Sequence, residues 1–199
     1  MPEFPRRLRR AGALLGLLLL GPPRAFADWP ASSLVNVPVC TAANQQNGPT
    51  LVTDAANGAI IAWHDFRGGA ANDIYAQRVL ASGVVDPGWP ANGRAICTAV
   101  SNQISVAIVV DGAGGAILFW QDARSNSVYD IYAQHVLASG AVDSGWPIDG
   151  VPLCTAANSQ LTPVAVADGV GGAIVTWQDQ RGGAGSDDIY AEHLMANGV

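Results

Sequence analysis

The sequence predicts an all-β chain, a propeller-type array of three four-stranded repeats of about 57 residues each. Three observations carry this. Cys40, Cys97 and Cys154 are each 57 residues apart, and so are Trp63, Trp120 and Trp177. The interval returns in Asp54, Asp111 and Asp168, in Asp65, Asp122 and Asp179, and in Arg67, Arg124 and Arg181. Glycine and proline, 23 and 12 of 199 residues, recur too often for long helices, and no segment past the N-terminus has helical periodicity. A stacked solenoid is the competing architecture, but its coils are usually shorter than this period.

Taken in order, the chain opens with a basic stretch (Arg6, Arg7, Arg9, Arg10) and an apolar run from Ala11 to Leu20. Ala25-Phe26-Ala27 then supplies a small-x-small cleavage pattern before Asp28. The apolar run falls short of the roughly 18 residues that a membrane span requires. Residues 1–27 are therefore read as a cleaved export signal, and residues 28–199 as the repeat domain.

The third repeat shows each element most clearly. "TPVAVAD" is a first strand, and "DGVGG" is a hairpin turn whose glycines can take positive φ. "AIVTWQD" is a second strand, apolar on both alternating faces as a strand covered on both sides must be. "QRGGAGSD" is a loop. "DIYAEHLMA" is a third strand, matching "DIYAQRV" from Asp73 and "DIYAQHV" from Asp130, with the last spacing widened to 58 by one inserted residue. The fourth strand lies in segments such as "GWPIDGVPLCT", introduced by the Trp-Pro pairs at 29, 89 and 146.

This phase divides the domain into an N-terminal closing strand (28–42), a first repeat (43–98), a second (99–155) and a third (156–199) that lacks its last strand. The strand missing at one end is offered at the other, an arrangement that can leave no sheet edge exposed. Propellers usually have about four to eight blades. Three outcomes fit: the first part of a longer protein, two copies forming a six-bladed ring, or an open or unusually small three-bladed body.

The portion "DQRGG…DIYAEHLMANG" resembles the TolB-type propeller repeat, in which an Asp-Arg-x-Gly turn precedes an Ile-Tyr strand and an Asn/Asp-Gly turn follows it. It is more similar still to the W-x-D-x-R…D-I-Y-A repeats of exported bacterial propeller proteins. The resemblance covers all three repeats and implies architecture rather than activity.

Composition narrows the partners. Beyond residue 27 the chain has 5 arginines against 15 acids and no lysine. Binding a phosphate backbone or an anionic membrane surface needs clustered cations, which excludes nucleic acid and membrane as expected partners. Three equivalently placed cysteines cannot all pair within one chain, and they read as small buried apolar side chains.

The candidate site residues are the recurring triads Asp65/Arg67/Asp73, Asp122/Arg124/Asp130 and Asp179/Arg181/Asp188. Carboxylates beside turn carbonyls are hard ligands, so calcium is the cofactor to consider. An adjacent arginine competes for the same carboxylates, and a catalytic site is normally singular, whereas these recur. The framework reading, with Arg and Asp paired across the turn joining strands two and three, is favoured.

No catalytic residue and no metal ligand is assigned. His64 alone breaks the repeat, standing where Gln121 and Gln178 stand, but no nucleophile accompanies it. The repeated Trp and Tyr residues are expected in the core, and the Trp-Pro pairs near the rim as capping groups or aromatic faces for a glycan or peptide.

The expectation is an exported, non-catalytic interaction or scaffold module, part of a larger exported or surface protein, with a protein or glycan ligand, and a homodimer if the chain is complete. The alternative is a propeller-fold carbohydrate-active enzyme, a glycosidase or lyase, or its glycan-binding fragment. Such an enzyme would place carboxylates that differ from blade to blade around a central funnel.

Overall fold

The computed structural model describes residues 29, 30, 32, 34–125, 128–183 and 185–199. The expected export signal, residues 1–27, falls outside the described residues.

The described residues form strands and turns with no helix. The strands are β1 (Gln46–Thr53), β2 (Ala59–Asp65), β3 (Asp73–Val79), β4 (Arg94–Cys97), β5 (Gln103–Val110), β6 (Ala116–Asp122), β7 (Asp130–Val136), β8 (Val151–Cys154), β9 (Gln160–Ala167), β10 (Ala173–Asp179) and β11 (Asp188–Leu194). They make three antiparallel sheets, ordered β1-β2-β3-β4, β5-β6-β7-β8 and β9-β10-β11. The second strand of the third repeat matches its expected bounds. The fourth strands are much shorter than the segments that carry them, because Trp-Pro and the following turn fill most of each connection.

Local chemistry sets these limits. Asp54 Oδ1 accepts the amides of Ala56 (2.8 Å) and Gly58 (2.7 Å), closing the β1–β2 turn. Asp111 and Asp168 close the β5–β6 and β9–β10 turns in the same way. A bulge recurs in each first strand, where Gly48, Ser105 and Thr162 all take positive φ (60°, 55° and 50°). For β-branched Thr162 that conformation costs on the order of 1–3 kcal/mol. Gln121, from the neighbouring sheet, supplies an offset by accepting the Thr162 amide at 2.9 Å.

The sheets stack face to face in chain order. Ile60, Ala62, Ile74 and Ala76 of the first sheet meet Ile108, Leu118, Trp120 and Val136 of the second. Val109, Ile117, Phe119 and Ile131, on the other face of the second sheet, meet Val175, Trp177 and Leu194 of the third. Each of the Val, Ile, Leu and Phe side chains contributes roughly 1.5–3 kcal/mol when fully buried.

The expected closing strand over 28–42 does not pair with β11. Its described residues hold no strand, and among the described residues the sheets do not close into a ring. The described residues of that segment lie against the first sheet instead, with Trp29 on Gly83, Cys40 beside Arg67 and the Thr41 amide on Asn92.

Candidate functional site

Each triad is built around one buried carboxylate. Trp63 Nε1–H donates to Asp65 Oδ2 at 2.8 Å, the Arg67 amide donates to Oδ1 at 2.8 Å, and Arg67 Nη2 reaches Oδ2 at 2.6 Å. Arg67 Nη2 also donates to the Asn92 carbonyl (2.8 Å) and approaches Cys40 Sγ (3.5 Å). Its guanidinium lies 3.7 Å from the centre of the Tyr75 ring.

The second sheet repeats the cluster. Trp120 and Arg124 bind Asp122, and Arg124 Nη2 reaches Cys97 Sγ (3.2 Å) and the Asp149 carbonyl (2.7 Å). In the third sheet Trp177 and Arg181 bind Asp179, and Arg181 Nη2 reaches Cys154 Sγ at 3.2 Å. There the backbone carbonyl acceptor has no counterpart among the described residues. Each cysteine thus lies against the next sheet's arginine, and all three are free thiols.

The electrostatics follow. Burial pushes Asp65 up, but hydrogen bonds from Arg67 and Trp63 outweigh it and hold the carboxyl below the usual range. Arg181 and, against burial, Trp177 hold Asp179 well below it. Burial drives the Cys97 thiol up to about 12, which leaves it a poor nucleophile at neutral pH.

The third member of each triad stands apart. Asp73, Asp130 and Asp188 are the register partners of Asp65, Asp122 and Asp179, so the two carboxylates of each triad sit side by side across the ladder. Asp73 is pushed up by burial and then by Asp65. Asp130 is pushed up mainly by burial, and its Oδ2 has no hydrogen-bond partner among the described residues. The arginine is therefore spent on the first carboxylate, and among the described residues the second makes no ion pair. Among the described residues no group of three or more His, Cys, Asp and Glu side chains is arranged to hold a metal ion.

A second repeated cluster escaped the sequence reading. Arg78 bridges Asp54 (2.7 Å) and Asp86 (3.4 Å). His135 replaces that arginine: Nε2 lies 3.0 Å from Asp111 Oδ2, and Nδ1 lies 2.8 Å from Asp143 Oδ2. His193 keeps only the first contact, with Asp168 at 2.9 Å. The exchange of Arg for His at one strand-three position, always beside a turn aspartate, was the available signal.

His64 is half-buried against the bulge at Gly48, its Nδ1 has no partner among the described residues, and burial lowers its pKa. The Trp-Pro pairs correct the rim expectation in part. Trp89 and Trp146 are buried against Gly140 and Gly198 of the next repeat, so neither offers a free face. Trp29 lies on Gly83 in the same manner but is more than half exposed.

A shallow depression of about 270 Å³ is lined by Cys97, Thr98, Val142, Ile148 and Asp149. The Asp149 carboxylate already accepts the Thr98 amide at 2.8 Å.

No protein-family model and no curated protein matches the chain. Among solved structures it is similar to an endo-arabinase from Bacteroides thetaiotaomicron VPI-5482, at 13% identity and a TM-score of 0.46. The similarity covers 85% of this chain and 64% of that one, so the chain spans less than two thirds of the enzyme's length.

Proposed function

We propose that the chain is an exported interaction or scaffold module of the propeller type, with each sheet a blade and a protein or glycan as ligand. The carrying observation is that the conspicuous polar constellation, Trp–Asp–Arg–Cys, occurs three times with the same partners and is consumed in bracing. A reacting group needs free lone pairs or a mobile proton. The repeated Arg-bound aspartates have most of theirs engaged, since each accepts from Trp, Arg and a backbone amide. The W-x-D-x-R…D-I-Y-A pattern and the basic-then-apolar N-terminus support the exported propeller reading.

The test is a binding and turnover screen of the full chain on glycan and peptide arrays. Saturable binding without product supports the module. Turnover lost on changing a carboxylate that does not recur from repeat to repeat, Glu192→Gln or Asp187→Asn, would replace it with an enzyme.

A further inference from the structure

The two internal junctions between sheets share most of their parts, and each end of the array shows half of one. At the first junction the Gln103 amide donates to the Asn72 carbonyl, and at the second the Gln160 amide donates to Tyr129. Trp89 covers Gly140, and Trp146 covers Gly198. Arg124 and the Asp149 carboxylate grip Cys97 and Thr98 at the end of the preceding sheet's fourth strand.

The N-terminal segment makes the second and third of these contacts with the first sheet. Trp29 covers Gly83, Arg67 reaches Cys40, and the Thr41 amide donates to Asn92 Oδ1 at 2.8 Å. Val37-Pro38-Val39-Cys40 therefore stands where a preceding sheet's fourth strand would stand, and among the described residues it joins no sheet. Its sequence is nearly that of β8, Val151-Pro152-Leu153-Cys154.

The third sheet has the complementary lack. Among the described residues β11 has no neighbour on its outer edge, and the sheet's outer face carries Val164, Val166 and Ile189 at 63, 60 and 73% exposure. The equivalent residues Val109 and Ile131 of the second sheet are buried by the third. On the opposite end of the array, Leu51 is 63% exposed on the face that the second and third sheets turn toward their predecessors.

We infer that a second copy of the chain completes the third sheet. Val37–Cys40 of one copy adds to the β11 edge of the other, and the first sheet of that copy covers the exposed face. The register copies β7–β8, where Tyr132 faces Pro152 and Ala133 faces Val151. It sets Pro38 opposite Tyr190 and Val37 opposite Ala191 of the other copy, with the Gln46 amide donating to the Asp187 carbonyl. The contact is head-to-tail, and two of them close a pair into one ring of six sheets.

The experiment measures the mass of the full chain in solution by light scattering, from about 1 to 100 μM, alongside two variants. The expected wild-type mass is twice that of the chain. Val37→Cys combined with Ala191→Cys should cross-link copies under oxidation, giving a covalent dimer on a non-reducing gel that either single substitution fails to give. Ile189→Asp, at an exposed position that the single chain does not need, should halve the mass and leave the circular dichroism spectrum unchanged. A single-chain mass for the wild type would overturn the inference, whether the edge stays open or a further segment of the same chain fills it. A concentration-dependent polymer would overturn the closed pair. An unchanged mass for Ile189→Asp would place the contact on another surface.

Discussion

The second and third sheets carry nearly the same sequence and live in different surroundings. β6 is buried along its whole length, whereas β10 alternates buried and exposed residues, and β11 is exposed up to Leu194. Arg124 finds a backbone carbonyl beyond its aspartate, while Arg181, with the same aspartate, tryptophan and thiol, finds none among the described residues. Burial in a repeat array belongs to the junction rather than to the strand. A residue's energetic weight therefore depends on which neighbours its sheet has.

The sharpest way to break this comparison is to remove the same carboxylate from both sheets. Asp122→Ala leaves Trp120 Nε1 without its acceptor and the largely buried Arg124 without its carboxylate. Breaking a buried ion pair from one side costs about 3–5 kcal/mol, and urea denaturation should show a loss of that order. Asp179→Ala should shift the midpoint distinctly less, because Arg181 can turn to water. Equal shifts would mean that the clusters are self-contained and that the junction adds nothing to them.

A smaller contrast separates Gly150 from Gly169. Gly150 has φ +94°, and a Cβ there would lie 2.7 Å from both the Trp120 ring and the Ala133 carbonyl. Left-handed strain and overpacking together put Gly150→Ala at about 3 kcal/mol. Gly169 has φ +83° with open space around it, so Gly169→Ala should cost about 1 kcal/mol through backbone strain alone. The difference in thermal midpoint between the two variants measures how tightly the Trp120 pocket is closed.

Much of the fold was legible because a repeated sequence reports its own boundaries. "AIVTWQD" and "DIYAEHL" announce strands by their alternation and by recurring, and the turn aspartates mark where hairpins close. Pairings that join distant segments were not legible. Nothing local in "VCTAA" says that Cys40 will lie on Arg67, or that Asp54 will meet Arg78, since those contacts depend on how strands and sheets stack. The triads were legible as groups but not in their division of labour. Sequence adjacency hides the fact that Arg67 reaches back to Asp65 and leaves Asp73, across the ladder, without a cation.

The His135 cluster offers a pH contrast between the same two sheets. Burial pushes Asp111 up, but His135 and the turn amides outweigh it, and Asp143 is lowered by the Gly145 amide and then by His135. Carboxylates depressed in this way stabilise the fold above their ordinary range, and that stability is lost as pH falls through the folded-state values, below about 4. His135→Gln should raise the titration midpoints of both carboxyls, read by NMR, and move acid unfolding to higher pH. The third sheet's His193 touches one carboxylate, Asp168, and is itself largely exposed. His193→Gln should therefore move acid unfolding less than His135→Gln does.

The smallest expected effect has the opposite sign. Asp73 is raised first by burial and then by Asp65, so its folded-state pKa lies above the unfolded value. The charged form is the strained one: Asp73 destabilises the fold as pH rises through that window, and protonation relieves it. Asp73→Asn removes the charge and keeps the shape. It should leave stability at pH 7 unchanged or raise it by less than about 1 kcal/mol. Asp188→Asn, at the exposed counterpart in the third sheet, should leave the midpoint where it is. The pair also decides the calcium question. If Asp73 were a ligand, calcium would raise the melting temperature of the wild type and not that of Asp73→Asn, because the substitution would remove a hard oxygen charge. Equal melting curves with and without calcium in both proteins would leave Asp73 as a surplus carboxylate, tolerated because the neighbouring arginine already holds the sheet together.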